Sequence, residues 1–347
     1  MSETANSEET MRVVQIGVGG FGGARRQRMR KSGLFDLVAA YDWNEEALQR
    51  AEQQDGARPV ESYEELLSVP DIEAVVVSTG AKYHAEQVIQ AARRGLHVFV
   101  EKPLCSTPEE LGSLLQVQRE TGVVIGVGHN DHRHDAVAAT IQRHIEEGEL
   151  GEVATFEKTT AHSGGLVMQA DEWRADPEKN PGGMLFQCGV HAAHELMFYF
   201  GPVSEVLCTM RYDVHETPTA DVAMCQLRFK NGLVGSLNAY HVTPYRHTLS
   251  LFGTRANIYR DERYFDEGTS LQIQRNNLEG GKEPKESLTP EGEDDPCGNL
   301  RSFYHAVREG GEPYPSLIDG ARAVAVVFAA ADSARNDGWC KVRSDIV

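Results

Sequence analysis

The chain has no apolar run long enough to cross a membrane. The longest, Ala323 to Ala331, is nine residues, against the roughly 18 that a spanning helix needs. It also has no excess of basic charge: 34 Lys and Arg stand against 52 Asp and Glu, a formal net charge of −18. Such a field repels a phosphate backbone, so a nucleic-acid role would need a local basic patch. The one dense basic cluster, Arg25, Arg26, Arg28, Arg30 and Lys31, falls on one predicted helix and reads as a solvated face. The six cysteines, at 105, 188, 208, 225, 297 and 340, form no C-x-x-C pair and are too sparse over 347 residues for a disulfide framework. They fit reduced thiols in a cytoplasm. The first ten residues are polar, with no basic stretch leading into an apolar one, so the expectation is a disordered tail and no secretory signal.

What is present is an ordinary globular composition, 40% hydrophobic and 25% charged, at a length that suggests two domains. The first half alternates short β-branched runs with helical patterns. Strands are predicted at 12–17, 35–41, 73–78, 97–101 and 123–127, and helices at 20–32, 45–54, 83–94 and 108–121. Strands alternating with 10–15-residue helices argue for a parallel sheet covered on both faces. A further helix is predicted at 135–147. After Gly151 the strands follow one another, at 152–160, 204–212, 221–229, 233–240 and 248–253, which argues for an antiparallel sheet. Asn231-Gly232 is a hairpin signal between two of them. Residues 276–296 read as a long polar loop, and two helices, near 299–307 and 319–334, close the chain.

Gly17-Val-Gly-Gly-Phe-Gly22 ends the first strand and opens the first helix, the context that gives G-x-G-x-x-G its meaning. Gly17 permits the tight turn, Gly19 admits a pyrophosphate to the backbone, and Gly22 lets helix and strand pack closely. The helix start, with Gly20 and Phe21, then offers unpaired N–H groups to phosphate. Asp42 lies 20 residues beyond Gly22 at the end of the second strand. A carboxylate there accepts hydrogen bonds from ribose hydroxyls and repels a 2′-phosphate, so NAD is expected and NADP less so. Asn44 is better placed than Asp42 to cap the next helix.

Three more segments, Ser78-Thr-Gly-Ala-Lys-Tyr-His84, Glu101-Lys102-Pro103 and Gly182-Gly-Met-Leu-Phe-Gln-Cys-Gly-Val-His191, follow that loop in order. Together with Trp173-Arg174, Asp319-Gly320 and Ser333, this set resembles the glucose–fructose oxidoreductase/inositol dehydrogenase (Gfo/Idh/MocA) family, from about Arg12 to the last helix. The resemblance implies an α/β fold. A Rossmann NAD-binding domain, 11–130, would be followed by a substrate-binding and oligomerisation domain, 131–347, with a large, mostly antiparallel open sheet. The last helices would pack back on the first domain, and homodimers or homotetramers would form through the sheet. The implied activity is hydride transfer between a nicotinamide and a secondary alcohol or ketone of a sugar or cyclitol, bound between the Rossmann edge and the second sheet.

The resemblance also assigns roles. Thr79, His84, Glu101 and Lys102 would join the glycine loop around the cofactor. Lys102 would be the catalytic lysine, beside the nicotinamide and the reacting hydroxyl. An ammonium there stabilises developing alkoxide charge, and a cationic nicotinamide nearby would lower its pKa and help it relay a proton. His191 would be the acid/base, a task suited to imidazole. The sugar would be lined by Lys102, His129, Arg133, Trp173, Arg174, Gln187, His191 and His194. Trp173 is placed to stack on a pyranose or to anchor a loop. The histidines at 129, 132, 134, 191 and 194 are dense but have no diagnostic ligand spacing, so no metal is expected.

The chain departs from the family pattern at three points, the first being Thr79-Gly80-Ala81, where Thr-Pro-Asn is usual. Gln187 stands where sugar-oxidising members carry Asp, and His194 where a second Asp is frequent. Gln orients a hydroxyl but accepts no proton. Two other readings therefore stay open: a glycosidase or lyase that retains NAD and oxidises transiently, and a non-enzymatic NAD-binding regulator.

Overall fold

The computed structural model describes residues 9–262 and 268–343. Of the expected N-terminal tail, residues 1–8 lie outside the described residues. The chain divides into two compact units. One takes the N-terminal portion to residue 105 with 109–131 and 296–319; the other takes 106–108, 132–295 and the portion from 320 onward.

In the first unit, β1 (Met11–Ile16), α1 (Gly20–Ser32), β2 (Phe35–Tyr41), α2 (Glu45–Asp55), β3 (Arg58–Pro59) and α3 (Tyr63–Leu66) are followed by β4 (Ala74–Val77), α4 (Ala81–Ala92), β5 (His97–Val100), α5 (Pro108–Thr121) and β6 (Ile125–Val127). The sheet runs β3-β2-β1-β4-β5-β6, and its strands pair in parallel throughout the described residues. Val13, Val14, Val75 and Val77 are wholly buried, because a central parallel strand is covered on both faces. The order reverses between β1 and β4, where doubly wound sheets bind nucleotides at the carboxyl ends of their strands. The Asn44 side chain caps α2, accepting from the Ala47 N–H at 3.0 Å. The chain returns to this core late, as Phe303 packs edge-on against Phe99 with ring centroids 5.7 Å apart.

The basic cluster on α1 is not a solvated face. Arg25 and Arg26 are buried, the first paired with Glu101 and the second with Asp55. Charge density on a helix does not reveal the carboxylates that other segments bring to it.

In the second unit, α6 (Ala136–Glu146), β7 (Val153–Ala161) and α7 (Val190–Phe200) precede the strands β8 (Val203–Arg211), β9 (Val222–Phe229), β10 (Val234–Tyr240), β11 (Arg246–Gly253), β12 (Ala256–Glu262), β13 (Thr269–Arg275) and β14 (Lys285–Ser287). Next come α8 (Gly298–Glu309), which belongs to the first unit, α9 (Leu317–Asn336) and β15 (Cys340–Lys341). The nine strands are ordered β14-β13-β12-β11-β7-β10-β9-β8-β15. All pairings are antiparallel except β7 with β10. The sequence reading has no strand at 256–262 or 269–275, and it treats as loop the residues of β14. β12 is masked by Arg260, a charged residue on its buried face. β13 offers only Leu271 and Ile273 as an apolar alternation. Cys208 and Cys225 oppose each other across β8 and β9, their sulfurs 3.3 Å apart.

The interior of this unit holds a charged cluster. Glu195 of α7 receives Lys158 of β7 at 2.6 Å and a two-pronged contact from Arg260 of β12. Burial alone would raise the Glu195 carboxyl, but Arg260, Lys158 and His132 hold it far below the usual range. Buried with them, His132 is pushed down to about 3, first by burial and then by neighbouring His194. A histidine whose folded pKa is depressed refuses a proton that the unfolded chain accepts below about 6.5. Stability is therefore lost as pH falls from about 6.5 toward 3, by up to about 1.4 kcal/mol per pH unit for this one group. Urea unfolding of the protein should show a midpoint that drops over this window, with a shallower drop in His132→Gln; parallel pH profiles would contradict the assignment.

Candidate active site

At the carboxyl edge of the parallel sheet, β1 is followed by Gly17 with φ +80°, a conformation that favours glycine. A Cβ there would sit 2.6 Å from the Ser78 carbonyl oxygen, so the β1–α1 turn lies directly on the turn after β4. A Cβ on Gly22 would collide with the Gly17 carbonyl oxygen. Gln15, buried in β1, ties the turn together by donating from Nε2 to the carbonyls of Gly17 (2.8 Å) and Gly22 (3.1 Å). Sequence reading missed this role, since a glutamine inside an apolar strand carries no motif. The N-cap of α1 is Gly19, with no side-chain cap, and Gly20 and Phe21 at the helix start are exposed. An uncapped helix start aimed from such a turn suits a pyrophosphate.

Asp42 is partly exposed beside this loop. Its Oδ2 accepts from the N–H groups of Val18 (2.8 Å) and Gly19 (3.1 Å), and its Oδ1 accepts from Asn44 N–H (2.9 Å). The carboxylate is thereby fixed, and a carboxylate has about four lone-pair sites, enough for hydroxyl donors as well. The glycine turn, the uncapped helix and the fixed carboxylate fit a dinucleotide.

Lys102 follows β5 and is partly exposed. Its neighbour Glu101 is buried and accepts from Arg25 Nε at 2.6 Å, which ties this strand end to α1. His84 is likewise turned inward. Its ring nitrogens lie 2.8 Å from the Pro103 carbonyl and 2.9 Å from that of Thr79, and burial lowers its pKa while those contacts and Glu101 oppose the shift. His84 thereby pins the turn of Thr79 to the turn of Lys102-Pro103. The Thr79 hydroxyl donates to Gln87 at 2.6 Å. His129, at the end of β6, is buried and accepts from Asn299 Nδ2 through its carbonyl at 2.7 Å.

In the second unit, Gln187 is buried in a wide helical turn, 185–189, that leads into α7. His191 lies in the first turn of α7 and is partly exposed, while His194 is buried with its ring 5.2 Å from that of His132. Trp173 and Arg174 form a short 3₁₀ turn in which the guanidinium sits 4.8 Å over the indole, so one face of the Trp is already covered. Arg133 is exposed in the turn 132–134.

Three histidines that carried no sequence signal also come together here. The parallel β7–β10 register sets His162 beside His241, ring centroids 4.9 Å apart, with His215 6.2 Å from His241. His215 Nδ1 lies 3.0 Å from the buried Asp221 carboxylate. His241 is pushed down to about 4 by burial, then by His162, His215 and Arg174, with Asp221 opposing. Among the described residues, no three His, Cys, Asp or Glu side chains are arranged to hold a metal ion, and no helix is long and apolar enough to cross a membrane.

Comparison with known proteins agrees with this architecture. Residues 11–129 match the model of an oxidoreductase family with an NAD-binding Rossmann fold, and residues 138–259 match the GFO/IDH/MocA C-terminal domain. The chain is 30% identical over 286 residues to 1,5-anhydro-D-fructose reductase of Ensifer adhaerens, covering 79% of this chain and 82% of that one. It is 27% identical over 285 residues to the NAD(+) scyllo-inositol 2-dehydrogenase of Bacillus subtilis, covering 78% of each. In fold it matches levoglucosan dehydrogenase in complex with NADH, with a TM-score of 0.84 at 22% identity over 96% of this chain and 100% of the other. The chain therefore belongs to the Gfo/Idh/MocA family of oxidoreductases, with an NAD(P)-binding Rossmann unit at its N-terminal side.

Proposed function

We propose that the protein is an NAD-dependent dehydrogenase or reductase acting on a secondary alcohol or ketone of a sugar or cyclitol. The observation that carries this reading is Lys102 at the carboxyl end of β5, backed by a buried ion pair, in a unit whose glycine turn and Asp42 suit a dinucleotide. Relatives named for anhydrofructose, inositol and levoglucosan support the substrate class. Asp42 supports NAD over NADP, because a fixed carboxylate repels a 2′-phosphate. When bound, the nicotinamide supplies the hydride acceptor or donor. Lys102 stabilises negative charge on the reacting oxygen. His191 takes up or returns the proton, and Gln187 orients a substrate hydroxyl without accepting one. His129, Arg133, Arg174 and His194 are further proposed sugar-binding residues, and Trp173 offers what remains of its ring. The large sheet turns Met224 and Val234 outward, which supports its use in a homodimer or homotetramer. Six free cysteines support a cytoplasmic setting.

Gln187 favours one rival, a redox-neutral cleavage that retains its cofactor. The deciding experiment incubates the protein with NAD and a panel of sugars, sugar acids and cyclitols and follows reduced nicotinamide. Net reduction proportional to substrate is expected; cleavage products without net reduction would favour the rival. On the substrate so found, Lys102→Ala should lower kcat about 100-fold or more, the scale of a positioned proton-transfer group, with NAD affinity little changed. Gln187→Ala should raise KM more than it lowers kcat, and His191→Ala the reverse; steady-state kinetics of both variants would expose an inverted assignment. In binding titrations NAD should outcompete NADP, and Asp42→Ala should narrow that gap, whereas equal affinities in the unaltered protein would remove the argument from Asp42.

A further inference from the structure

Trp43 is 83% exposed, yet it is built on a rigid base. It stands between Asp42, whose carboxylate is fixed by three backbone N–H groups, and Asn44, which caps α2. Its ring meets Tyr83 in the first turn of α4 edge-to-face, with centroids 6.4 Å apart at 80°. The Lys82 ammonium sits 4.4 Å over the Tyr83 ring. That single aromatic contact orients the indole while leaving it open to solvent. A large aromatic ring kept 83% exposed directly beside the Asp42 carboxylate is open to a ligand bound there.

The chemistry of the neighbouring residue says which. If Asp42 accepts from the hydroxyls of the adenosine ribose, the base on the adjoining ribose carbon lies within one residue's reach of that carboxylate. The residue there is the flat, electron-rich face of Trp43. Base–aromatic stacking needs no hydrogen-bond partner and makes a large contribution to nucleotide binding. We infer that Trp43 is the stacking platform for the adenine of the dinucleotide, with Tyr83 setting the plane of the indole. This rests on the NAD reading above and adds that the adenylate half of the cofactor is gripped by an aromatic face.

The test compares three probes, NAD, ADP-ribose and nicotinamide mononucleotide, by calorimetry on the full chain. Trp43→Ala should raise Kd for NAD and ADP-ribose about 5- to 150-fold, the span of stacking losses on alanine substitution. It should leave the mononucleotide unchanged, because that probe carries no adenine. Trp43→Phe should keep most of the affinity. Indole fluorescence supplies a second readout, since the chain has only three Trp, at 43, 173 and 339. ADP-ribose should quench the unaltered protein, and Trp43→Phe should abolish that quenching. Unchanged ADP-ribose affinity in Trp43→Ala, or quenching that persists in Trp43→Phe, would overturn the inference while leaving the NAD reading intact. Failure of the unaltered protein to bind NAD or ADP-ribose would overturn both.

Discussion

The candidate site of the first unit is organised around one buried guanidinium. Arg25 has no exposed surface, donates from Nε to Glu101 at 2.6 Å and from Nη1 to Asn299 at 3.2 Å, and lies 4.6 Å over the Phe99 ring. Asn299 in turn donates to the His129 carbonyl. One side chain thus joins the helix that follows the glycine turn, the strand end that carries Lys102, the strand end at His129, and α8 from the far end of the chain. Buried ion pairs seldom add net stability over apolar packing, but they are costly to break. Their directional contacts fix geometry, here that of the strand end that carries Lys102. His84 supplies a second brace from the opposite side, between the Thr79 and Pro103 carbonyls.

Local features of this design were legible in the sequence. The glycine turn, Asp42 and the capping Asn44 declare themselves within a few residues, because each acts on its own backbone or on a ligand. The rhythm of strands and helices in the first half reflects burial of parallel strands on both faces, and the helix over 20–32 and the strand over 35–41 are found as read. Features that depend on distant partners were not legible. Arg25 looks like any surface arginine until Glu101, 76 positions away, is seen beside it. β12 was hidden by Arg260, which is tolerable inside only because Glu195 meets it. His162 and His241 are neighbours solely through the parallel register of β7 and β10.

The second unit buries several of its histidines. His132 and His194 sit together inside, beside the Lys158–Glu195–Arg260 cluster. His241, and His247 on β11, are each pushed down to about 4, with burial the first cause of both shifts. Such rings are neutral at physiological pH and serve as hydrogen-bonding groups rather than charges. His191, partly exposed in the first turn of α7, differs from them in its exposure.

The claim on which the account turns is that the Arg25–Glu101 pair holds the edge of the nucleotide site. A double-mutant cycle with Arg25→Met and Glu101→Met, read by urea unfolding and by NAD titration, tests it most directly. Glu101→Met alone leaves Arg25 buried without its carboxylate and should cost about 3–5 kcal/mol of stability, with weakened NAD binding. The double variant should recover most of the stability, giving a coupling energy well above the few tenths of a kcal/mol expected of independent sites. Additive effects, or a Glu101→Met protein as stable and as NAD-competent as the original, would contradict the account.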